Sequence, residues 1–328
     1  MAVNGVPMPL RAGASLPAKR RVGGLARVIL GAKTKGEARE ALAGYLCVMP
    51  WLLGLLIFAA GPIIASLVLS FTDYNIAKPP VYVATANYSR AFVQDNLFWP
   101  SLLRTFYYTF AYVPIVVTGS LLLAVLLNQH LAGTNVFRTL FFVPHLTPAV
   151  ALAVLWTWLL HPKVGPVNAI LGSLGLPQPG WLKTESWALP SLIMINLWAG
   201  FGGNRMLLFL AGLQGVPQEL YEAAEIDGAG NWAKFRAITI PMISPVVFLN
   251  AILGIIGALK VFTTAFIATE GGPNYATWFI ALHIYKQAFS YYRMGYASAL
   301  AWVLALIILA FSLAQFKLAD RWVYYEAS

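Results

Sequence analysis

Side chains that could catalyse a reaction or bind a metal are few and scattered in this sequence. Its 328 residues include four histidines and one cysteine. His145, His161 and His283 have no carboxylate at the spacing of a metal or catalytic cluster, and Cys47 alone can form neither an intrachain disulfide nor a thiolate metal cluster. The HExxH, Walker A and GxSxG patterns do not occur. The sequence therefore predicts a protein that is not an enzyme.

The segment 214–241 combines acids, glycines and small residues in a pattern that predicts two short helices. Pro217, followed by polar and acidic residues, is typical of a helix start. Gly228 and Gly230 are expected to break the helix, and Pro241 is expected to end its second half. Small side chains along the segment would let another molecule pack closely against it. They belong to Ala223, Ala224, Ala229 and Ala233.

A second group of polar and aromatic side chains lies within apolar stretches, where such groups can bind sugar hydroxyls and sugar rings. His145, between Pro144 and Pro148, either faces a pathway or caps a local kink. Arg205 either faces a cavity or extends to the lipid headgroups. Lys260 has either a ligand-binding role or a structural or gating role. The pathway candidates of this group are His145, Asn196, Trp198, Asn204, Arg205 and Lys260.

Three small residues share one side of a predicted helix near Lys260. Gly254, Gly257 and Ala258 recur at i, i+3 and i+4 spacing. This stripe either lets substrate approach closely or forms an interface with another helix. We include the three residues among the substrate-pathway candidates.

Composition places these groups in a membrane protein. The chain is 59% hydrophobic and 10% charged, and its mean hydropathy is +0.70. Soluble domains carry many more charges on their surface. The formal net charge of +10 does not indicate nucleic-acid binding, because many of the basic residues lie in a tail over residues 1–41. Basic residues beside a membrane segment can contact lipid headgroups instead.

Six stretches are long and apolar enough to span a bilayer, which takes about 20 residues. They cover residues 42–70, 105–127, 140–160, 190–213, 245–267 and 297–316. An even number of crossings places both termini on one side, and the basic tail makes that side the cytoplasm. The sequence therefore predicts an all-α, multi-pass membrane protein with a tail at 1–41, a first transmembrane helix at 42–70 and a cytoplasmic C-terminus at 317–328.

The segment 214–241 resembles the EAA loop of binding-protein-dependent ABC importer permeases. The pattern is carried by Glu222-Ala223-Ala224, Gly228, Ile238 and Pro241, with Ile240 in place of the usual leucine. Further stretches are similar to carbohydrate permeases of the sugar and glycerol-phosphate branch, and the resemblance covers about residues 51–325. Examples are residues 86–88, 137–144, 209–214 and 294–299.

The resemblance implies a type I ABC importer permease fold, with the transporter domain at 101–316 and a coupling loop that docks on an ATPase. By this resemblance, Glu222 would be the carboxylate that docks on the ATPase, and Gly228 would form the turn. Asp227 either contributes to the electrostatic interaction with the ATPase or is an ordinary residue at the end of the helix. The coupling residues implied are Glu219, Glu222, Ala223, Ala224, Asp227, Gly228, Ile238 and Pro241.

The same resemblance implies the partners. They are a second, homologous permease subunit, two copies of a cytoplasmic ATPase, an extracytoplasmic solute-binding protein, a sugar and membrane lipid. The chain itself would bind no cofactor, since ATP and Mg²⁺ would be bound by the ATPase, and the location would be the bacterial inner membrane. The alternative is an ion-coupled secondary transporter or channel, but such proteins carry acids within their spans, and the six predicted here contain almost none.

Overall fold

The described part of the chain folds mostly into helices. The computed structural model describes residues 35–129 and 133–324. Residues 1–34 of the predicted basic tail and residues 325–328 of the predicted C-terminus lie outside the described residues, so the predicted orientation stays a prediction. In chain order the helices are α1 (Lys35–Leu55), α2 (Gly61–Ser70), α3 (Ala86–Ser89), α4 (Phe98–Leu127), α5 (Thr134–Leu146), α6 (Ala149–Leu159), α7 (Pro166–Ser173), α8 (Glu185–Phe201), α9 (Asn204–Gln214), α10 (Gln218–Ile226), α11 (Asn231–Lys234), α12 (Ile240–Met242), α13 (Ser244–Leu259), α14 (Thr263–Ala268), α15 (Ile280–Tyr285) and α16 (Met294–Ala319).

Short turns of other helix types adjoin several of these elements. They are π-helical at Leu56–Ala60, Arg90–Gln94, Phe235–Thr239 and Lys286–Ser290, and 3₁₀ at Trp181–Lys183. The π-helical turns are continuous with their neighbouring α-helices, so the chain stays helical through them.

The apolar crossings number six in the described residues when each broken crossing is counted once, as the sequence predicts. Four are continuous, and they cover Arg39–Ser70, Phe98–Leu127, Ser244–Ala268 and Met294–Ala319. Two are pairs of helices, α5 with α6 and α8 with α9, bent by 95° and 44°. The second crossing begins at Phe98 rather than at residue 105, so Arg104 lies inside the helix.

The two bends have different local causes. Between α5 and α6, Thr147 and Pro148 are extended, with ψ of 127° and 135°, because a proline disfavours helical backbone in the residue before it. Between α8 and α9, the break falls at Gly202 and Gly203. The sequence indicated the first bend through Pro148 but missed the second.

Among the described residues, those from 35 to 65 belong to a compact unit of their own. Apolar side chains along it are exposed, for example Trp51 and Phe58. A helix surrounded by lipid has this character, since its apolar side chains need no protein partner.

A short antiparallel hairpin departs from the all-α prediction. Strand β1 (Thr72–Asn75) pairs with β2 (Lys78–Tyr82) directly after α2. The buried Asn87 fixes the hairpin, because its side-chain amide donates to the carbonyl oxygens of Ser70 and Thr72, both at 2.9 Å. The asparagine at residues 86–88, which the resemblance singled out, therefore joins the end of α2 to β1.

Helix α4 lies at the centre of the main core. It packs against α8, α9 and α13 through apolar side chains such as Val113 and Val116. Met206 and Phe209 of α9 and Ile195 of α8 are fully buried in the same core. The helices that carry Arg205 and Asn250 are therefore held around a common scaffold.

A buried hydrogen-bond network joins the start of α4 to α15 and α16. Asp95 accepts hydrogen bonds from His283 Nε2 at 2.8 Å and from the hydroxyl of Tyr296 at 2.5 Å. The indole N–H of Trp278 donates to His283 Nδ1 at 3.1 Å, so the proton of the neutral ring lies on Nε2. Burial opposes ionisation of Asp95, but the hydrogen bonds from Tyr296 and the Leu97 amide, with His283 nearby, lower its pKa. Burial also lowers the pKa of His283.

This network predicts that acid weakens the fold. Both pKa values are depressed in the folded protein, so the network's stabilisation is present above the unfolded pKa values and is lost as the pH falls. The stabilisation that depends on neutral His283 begins to be lost below about pH 6.5, the ordinary histidine pKa. The stabilisation that depends on ionised Asp95 begins to be lost below about pH 4. We expect the unfolding temperature in detergent to fall between pH 7 and pH 5.

A His283→Gln variant tests this prediction. Glutamine keeps a hydrogen-bond donor for Asp95 but does not titrate near pH 6. The variant should have a lower unfolding temperature at pH 7 and a shallower decline towards pH 5, measured by scanning fluorimetry. An Asp73→Asn variant, which changes an exposed carboxylate, should keep the original decline. An unchanged slope in His283→Gln would contradict the prediction.

Candidate functional site

A polar cavity of about 200 Å³ lies among α5, α8, α9 and α13. It brings together three of the predicted pathway residues, His145, Asn204 and Arg205, with Asn250 opposite them on α13. The remaining lining residues are Gly200, Leu208 and Leu253. A small cavity with a few polar groups on an apolar wall has the character of a site for a hydroxylated ligand.

Arg205 points into the protein rather than towards the headgroups. It lies in the first turn of α9, and its guanidinium interacts with the hydroxyl of Tyr112 on α4. The backbone at Gly254 approaches it closely, because a Cβ there would lie 3.8 Å from Arg205 Nη2. Arg205 Nε is buried without a hydrogen-bond partner, and no carboxylate in the described chain forms an ion pair with the guanidinium. The cavity therefore holds an unneutralised cation.

Asn250 supplies the complementary acceptor. Its side chain is 1% exposed, and its Nδ2 donates to the carbonyl oxygen of Val246 at 2.9 Å. Its Oδ1 is buried with no partner among the described residues. A buried polar atom without a partner is costly unless something binds it. A sugar hydroxyl is both donor and acceptor, so a polyol could satisfy the acceptor of Asn250 and the donors of Arg205.

His145 lies both at the cavity and at the bend after α5. Its ring contacts the backbone at Gly203, where an added Cβ would lie 2.6 Å from Nδ1. At Gly202 a Cβ would lie 1.8 Å from the carbonyl oxygen of Phe141. Only glycine fits between the two bent crossings here, so the break in the fourth crossing lets α5 approach it and places the histidine. His145 lies at the cavity, and its role in the pathway stays a prediction.

Six of the predicted pathway residues do not line the cavity, and two of these, Asn196 and Trp198, lie on α8. Asn196 donates to the carbonyl oxygen of Leu192 at 2.8 Å and accepts from the hydroxyl of Thr264 at 3.0 Å. Its amide therefore ties α8 to α14. Trp198 is 58% exposed and packs edge-to-face on Trp156.

The predicted stripe on α13 divides between two environments. Gly254 and Ala258 are buried, and Gly254 lies against Val113 of α4. Gly257 is exposed, and a Cβ there would meet no atom within 4 Å. Lys260 is exposed at the break between α13 and α14, not within a helix. Gly254 and Ala258 therefore pack inside the chain whereas Gly257 is open, and the role of the three residues as a substrate wall or a helix interface stays a prediction.

The segment 214–241 forms two short helices with a glycine turn, as predicted. Helix α10 ends at Ile226, Gly228 has a φ of +78°, and α11 begins at Asn231. Such a φ is readily adopted by glycine and is strained for other residues. Pro241 does not end the helical run as predicted, because the chain stays helical from Asn231 to Met242.

The acidic face of α10 is exposed and only partly paired. Glu225 forms an ion pair with Lys234 of α11 at 2.6 Å, which ties the two short helices together. Glu222 is exposed and has no ion pair within the described residues. The other predicted coupling residues are exposed at Glu219, Ala223, Asp227 and Gly228 and half-buried at Ala224, Ile238 and Pro241.

Sequence reasoning missed two apolar side chains beside the turn. Ile226 is 88% exposed and Trp232 is 72% exposed. Large apolar groups at a polar surface often mark a contact with another protein. The sequence offered little indication of these two exposed side chains, since an isolated isoleucine and an isolated tryptophan form no periodic pattern.

Six apolar crossings, a polar cavity among four of the helices, and an exposed acidic helix between the fourth and fifth crossings define a membrane-embedded transport subunit. Residues 91–323 match the family described as the inner membrane component of binding-protein-dependent transport systems. The chain belongs to this family, and it is a multi-pass inner-membrane protein. In such importers, ATP hydrolysis is carried out by a separate subunit.

Curated relatives agree with this assignment, and a solved structure has the same fold. The chain is 38% identical to the probable ABC transporter permease protein YesP of Bacillus subtilis, over 90% of this chain and 96% of that protein. It is 33% identical to the trehalose/maltose transport permease MalF of Thermococcus litoralis, over 87% and 96%. A bacterial alginate ABC transporter chain has the same fold, with a TM-score of 0.77 at 24% identity over 87% of this chain and 96% of that one.

Proposed function

We propose that this chain forms one half of a sugar pathway in an ATP-driven importer. A second, homologous permease would form the other half, two ATPase subunits would bind ATP and Mg²⁺ in the cytoplasm, and a solute-binding protein would deliver the sugar. Two of the similar permeases are named for oligosaccharides, trehalose/maltose and arabinooligosaccharides. An ion-coupled transporter is not supported, since an exposed coupling segment would have no role in it.

The proposal depends mainly on the way in which the exposed segment 214–241 connects to the polar cavity. Helices α10 and α11 lie between α9 and α13, and these two helices carry Arg205 and Asn250. At 1.5 Å per residue, Arg205 lies about 14 Å from the end of α9 and Asn250 about 9 Å from the start of α13. A movement imposed on the segment would therefore reach both polar walls of the cavity through helices that span the distance.

The segment is built to move as one body. The ion pair of Glu225 with Lys234 joins α10 to α11, and the hydroxyl of Tyr221 lies 2.9 Å from the hydroxyl of Thr239. Glu222 would contact a basic residue of the ATPase from the exposed face, Ala223 and Ala224 would allow close approach, and Gly228 would shape the turn.

Arg205→Ala tests the pathway. Losing a hydrogen bond from a charged group to the sugar is expected to raise the KM of uptake by roughly tenfold or more. His145→Ala should change the KM or the maximal rate to a smaller degree, since its ring is exposed at the cavity edge. ATP-dependent uptake of radiolabelled oligosaccharides into proteoliposomes containing the full complex would measure both. The control is Lys183→Gln, which removes an exposed cation that does not line the cavity. Unchanged KM and rate in both cavity variants would exclude the cavity from the pathway.

A further inference from the structure

The polar cavity of the pathway carries a positive charge that its own walls do not neutralise. Among the described residues of the lining, Arg205 is the one permanently charged side chain, and none is an acid. Helices α5, α9 and α13 contain no acidic residue. On α8 the one acid is Glu185, its first residue, which lies about 22 Å along the helix from Gly200. A cation inside a membrane protein normally has a partner, so the missing anion is expected to arrive with a ligand.

The start of α9 adds to this positive potential. Asn204 and Arg205 are the first two residues of the helix, and both line the cavity. No described side chain caps the helix at Gly203, which precedes them. The N–H groups in the first turn of a helix carry partial positive charge and attract anions. The guanidinium and the helix end therefore favour the same kind of group, a negatively charged one.

The guanidinium of Arg205 is held between two other helices. The hydroxyl of Tyr112 on α4 lies beside it, and a Cβ added at Gly254 of α13 would lie 3.8 Å from its Nη2. Its Nε is buried without a hydrogen-bond partner in the described chain. Nε and a neighbouring Nη present parallel N–H groups, and this edge matches the two oxygens of a carboxylate. A carboxylate would therefore meet an arginine that is already positioned and incompletely bonded.

Asn250 requires a different group from the same ligand. Its Oδ1 is buried without a partner among the described residues, and this oxygen can only accept a hydrogen bond. An ionised carboxylate has no proton to donate, so it cannot satisfy Oδ1, whereas a hydroxyl can. A neutral sugar would satisfy Asn250 but would leave Arg205 without a counter-charge. A ligand that carries both a carboxylate and hydroxyl groups satisfies both residues.

Charge balance favours a carboxylate over a phosphate in this cavity. A phosphate monoester carries about 1.5 to 2 negative charges at pH 7, whereas a carboxylate carries one. The lining offers one permanent cation, and Leu208 and Leu253 make other parts of the wall apolar. A phosphate would therefore leave excess negative charge in a poorly solvating site, which is unfavourable.

We propose that the transported sugar is a sugar acid, an oligosaccharide that contains uronic acid, and that Arg205 selects it. The inference rests on the proposed function and adds the chemical class of the substrate. Arg205 binds the carboxylate, and Asn250 accepts a hydrogen bond from a hydroxyl of the same sugar. Arg205 Nε and Asn250 Oδ1 are both shielded from solvent in this structure. The contacts therefore form when α9 and α13 separate, which is the movement proposed for the coupling segment.

The test measures ATP-dependent uptake into proteoliposomes that contain the full complex with its solute-binding protein. The probes are radiolabelled trisaccharides of galacturonic, glucuronic and mannuronic acid, each as the free acid and as its methyl ester. Esterification removes the charge and keeps the rings and their hydroxyls. The readout is the ratio of kcat/KM for the best free acid to kcat/KM for its ester. We expect roughly ten or more for the unsubstituted complex, the scale of a hydrogen bond to a charged group.

Two substitutions of Arg205 test whether this residue makes the selection. Arg205→Gln should lower the ratio to about one, and Arg205→Lys should give an intermediate ratio, because lysine keeps the charge but lacks the planar fork. Both probes are measured with the same preparation, so a loss of folded protein lowers both uptake rates and leaves the ratio unchanged. Lys183→Gln, which removes an exposed cation outside the lining, should keep the ratio of the unsubstituted complex.

No uptake of any free acid, or a ratio near one, in a complex that contains the ATPase would overturn the inference. A high ratio that Arg205→Gln does not change would also overturn it, since another group or subunit would then select the acid. Faster uptake of a phosphorylated trisaccharide than of the free acids would overturn the assignment of a carboxylate. Recovery of the chain without an ATPase would instead contradict the proposed function.

Discussion

A Glu222→Lys variant should insert in the membrane normally and lose sugar uptake by roughly 30-fold or more, the scale of breaking a charge pair within an interface. Glu222 is exposed on α10 and has no ion pair in the described part of the chain, so it contributes nothing visible to this chain's own stability. Reversing the charge of this side chain would place a cation beside the position where a basic residue of the ATPase is expected. The ATPase subunits would then hydrolyse ATP without driving the movement of α9 and α13.

The measurement is a comparison of ATP hydrolysis and sugar uptake in the same proteoliposomes. The matched control is Glu225→Gln, three residues along the same helix, whose carboxylate already pairs with Lys234. Loss of an exposed ion pair is a small effect, and we expect uptake to fall less than about threefold. Normal uptake in Glu222→Lys, or equal losses in both variants, would contradict the coupling role of Glu222.

Replacing Gly202 with alanine is expected to destabilise the membrane domain. The new Cβ would lie 1.8 Å from the backbone carbonyl oxygen of Phe141, and no side-chain rotation can relieve that contact. Overpacking of a buried site costs about 3 kcal/mol or more in such cases. The unfolding temperature of the protein in detergent should fall by roughly 4 °C or more, and uptake should be lost with it because α5 can no longer place His145.

Gly54→Ala is the control for this substitution. Gly54 lies within α1, and a Cβ there would meet no atom within 4 Å. Alanine is the better helix former, so the unfolding temperature should stay the same or rise slightly. Scanning fluorimetry of the two variants separates the effects, and a Gly202→Ala protein as stable as Gly54→Ala would show that α5 and α8 do not meet as described.

Features with a short-range cause could be predicted from the sequence. The two helices of segment 214–241 follow from Pro217 and Gly228, which act on the backbone of their immediate neighbours. The six crossings follow from runs of apolar residues, and the first bend follows from Pro148. The sequence suggested that His145, Asn204 and Arg205 line a cavity because polar side chains are unfavourable in contact with lipid. No spacing of these residues in the sequence indicated that they lie together.

Features that depend on contacts between distant segments could not be predicted. The close approach of the Phe141 backbone to the break at Gly202 joins two residues that are far apart in the sequence. One example is Asn196, a predicted pathway residue, whose side chain is hydrogen-bonded to Thr264 and joins α8 to α14. The exposed position of Gly257 likewise depends on which face of α13 meets α4, and small-residue spacing alone does not decide that.

The central claim is that this chain works as one permease of an assembly driven by a separate ATPase. The most direct test is to purify the tagged chain from its native membrane in mild detergent and identify the proteins that accompany it. We predict recovery of a second permease with its own Glu-Ala-Ala segment, together with an ATPase, and loss of the ATPase from the Glu222→Lys preparation. Recovery of the chain alone, unchanged by that substitution, would contradict the claim and indicate a transporter that works without an ATPase.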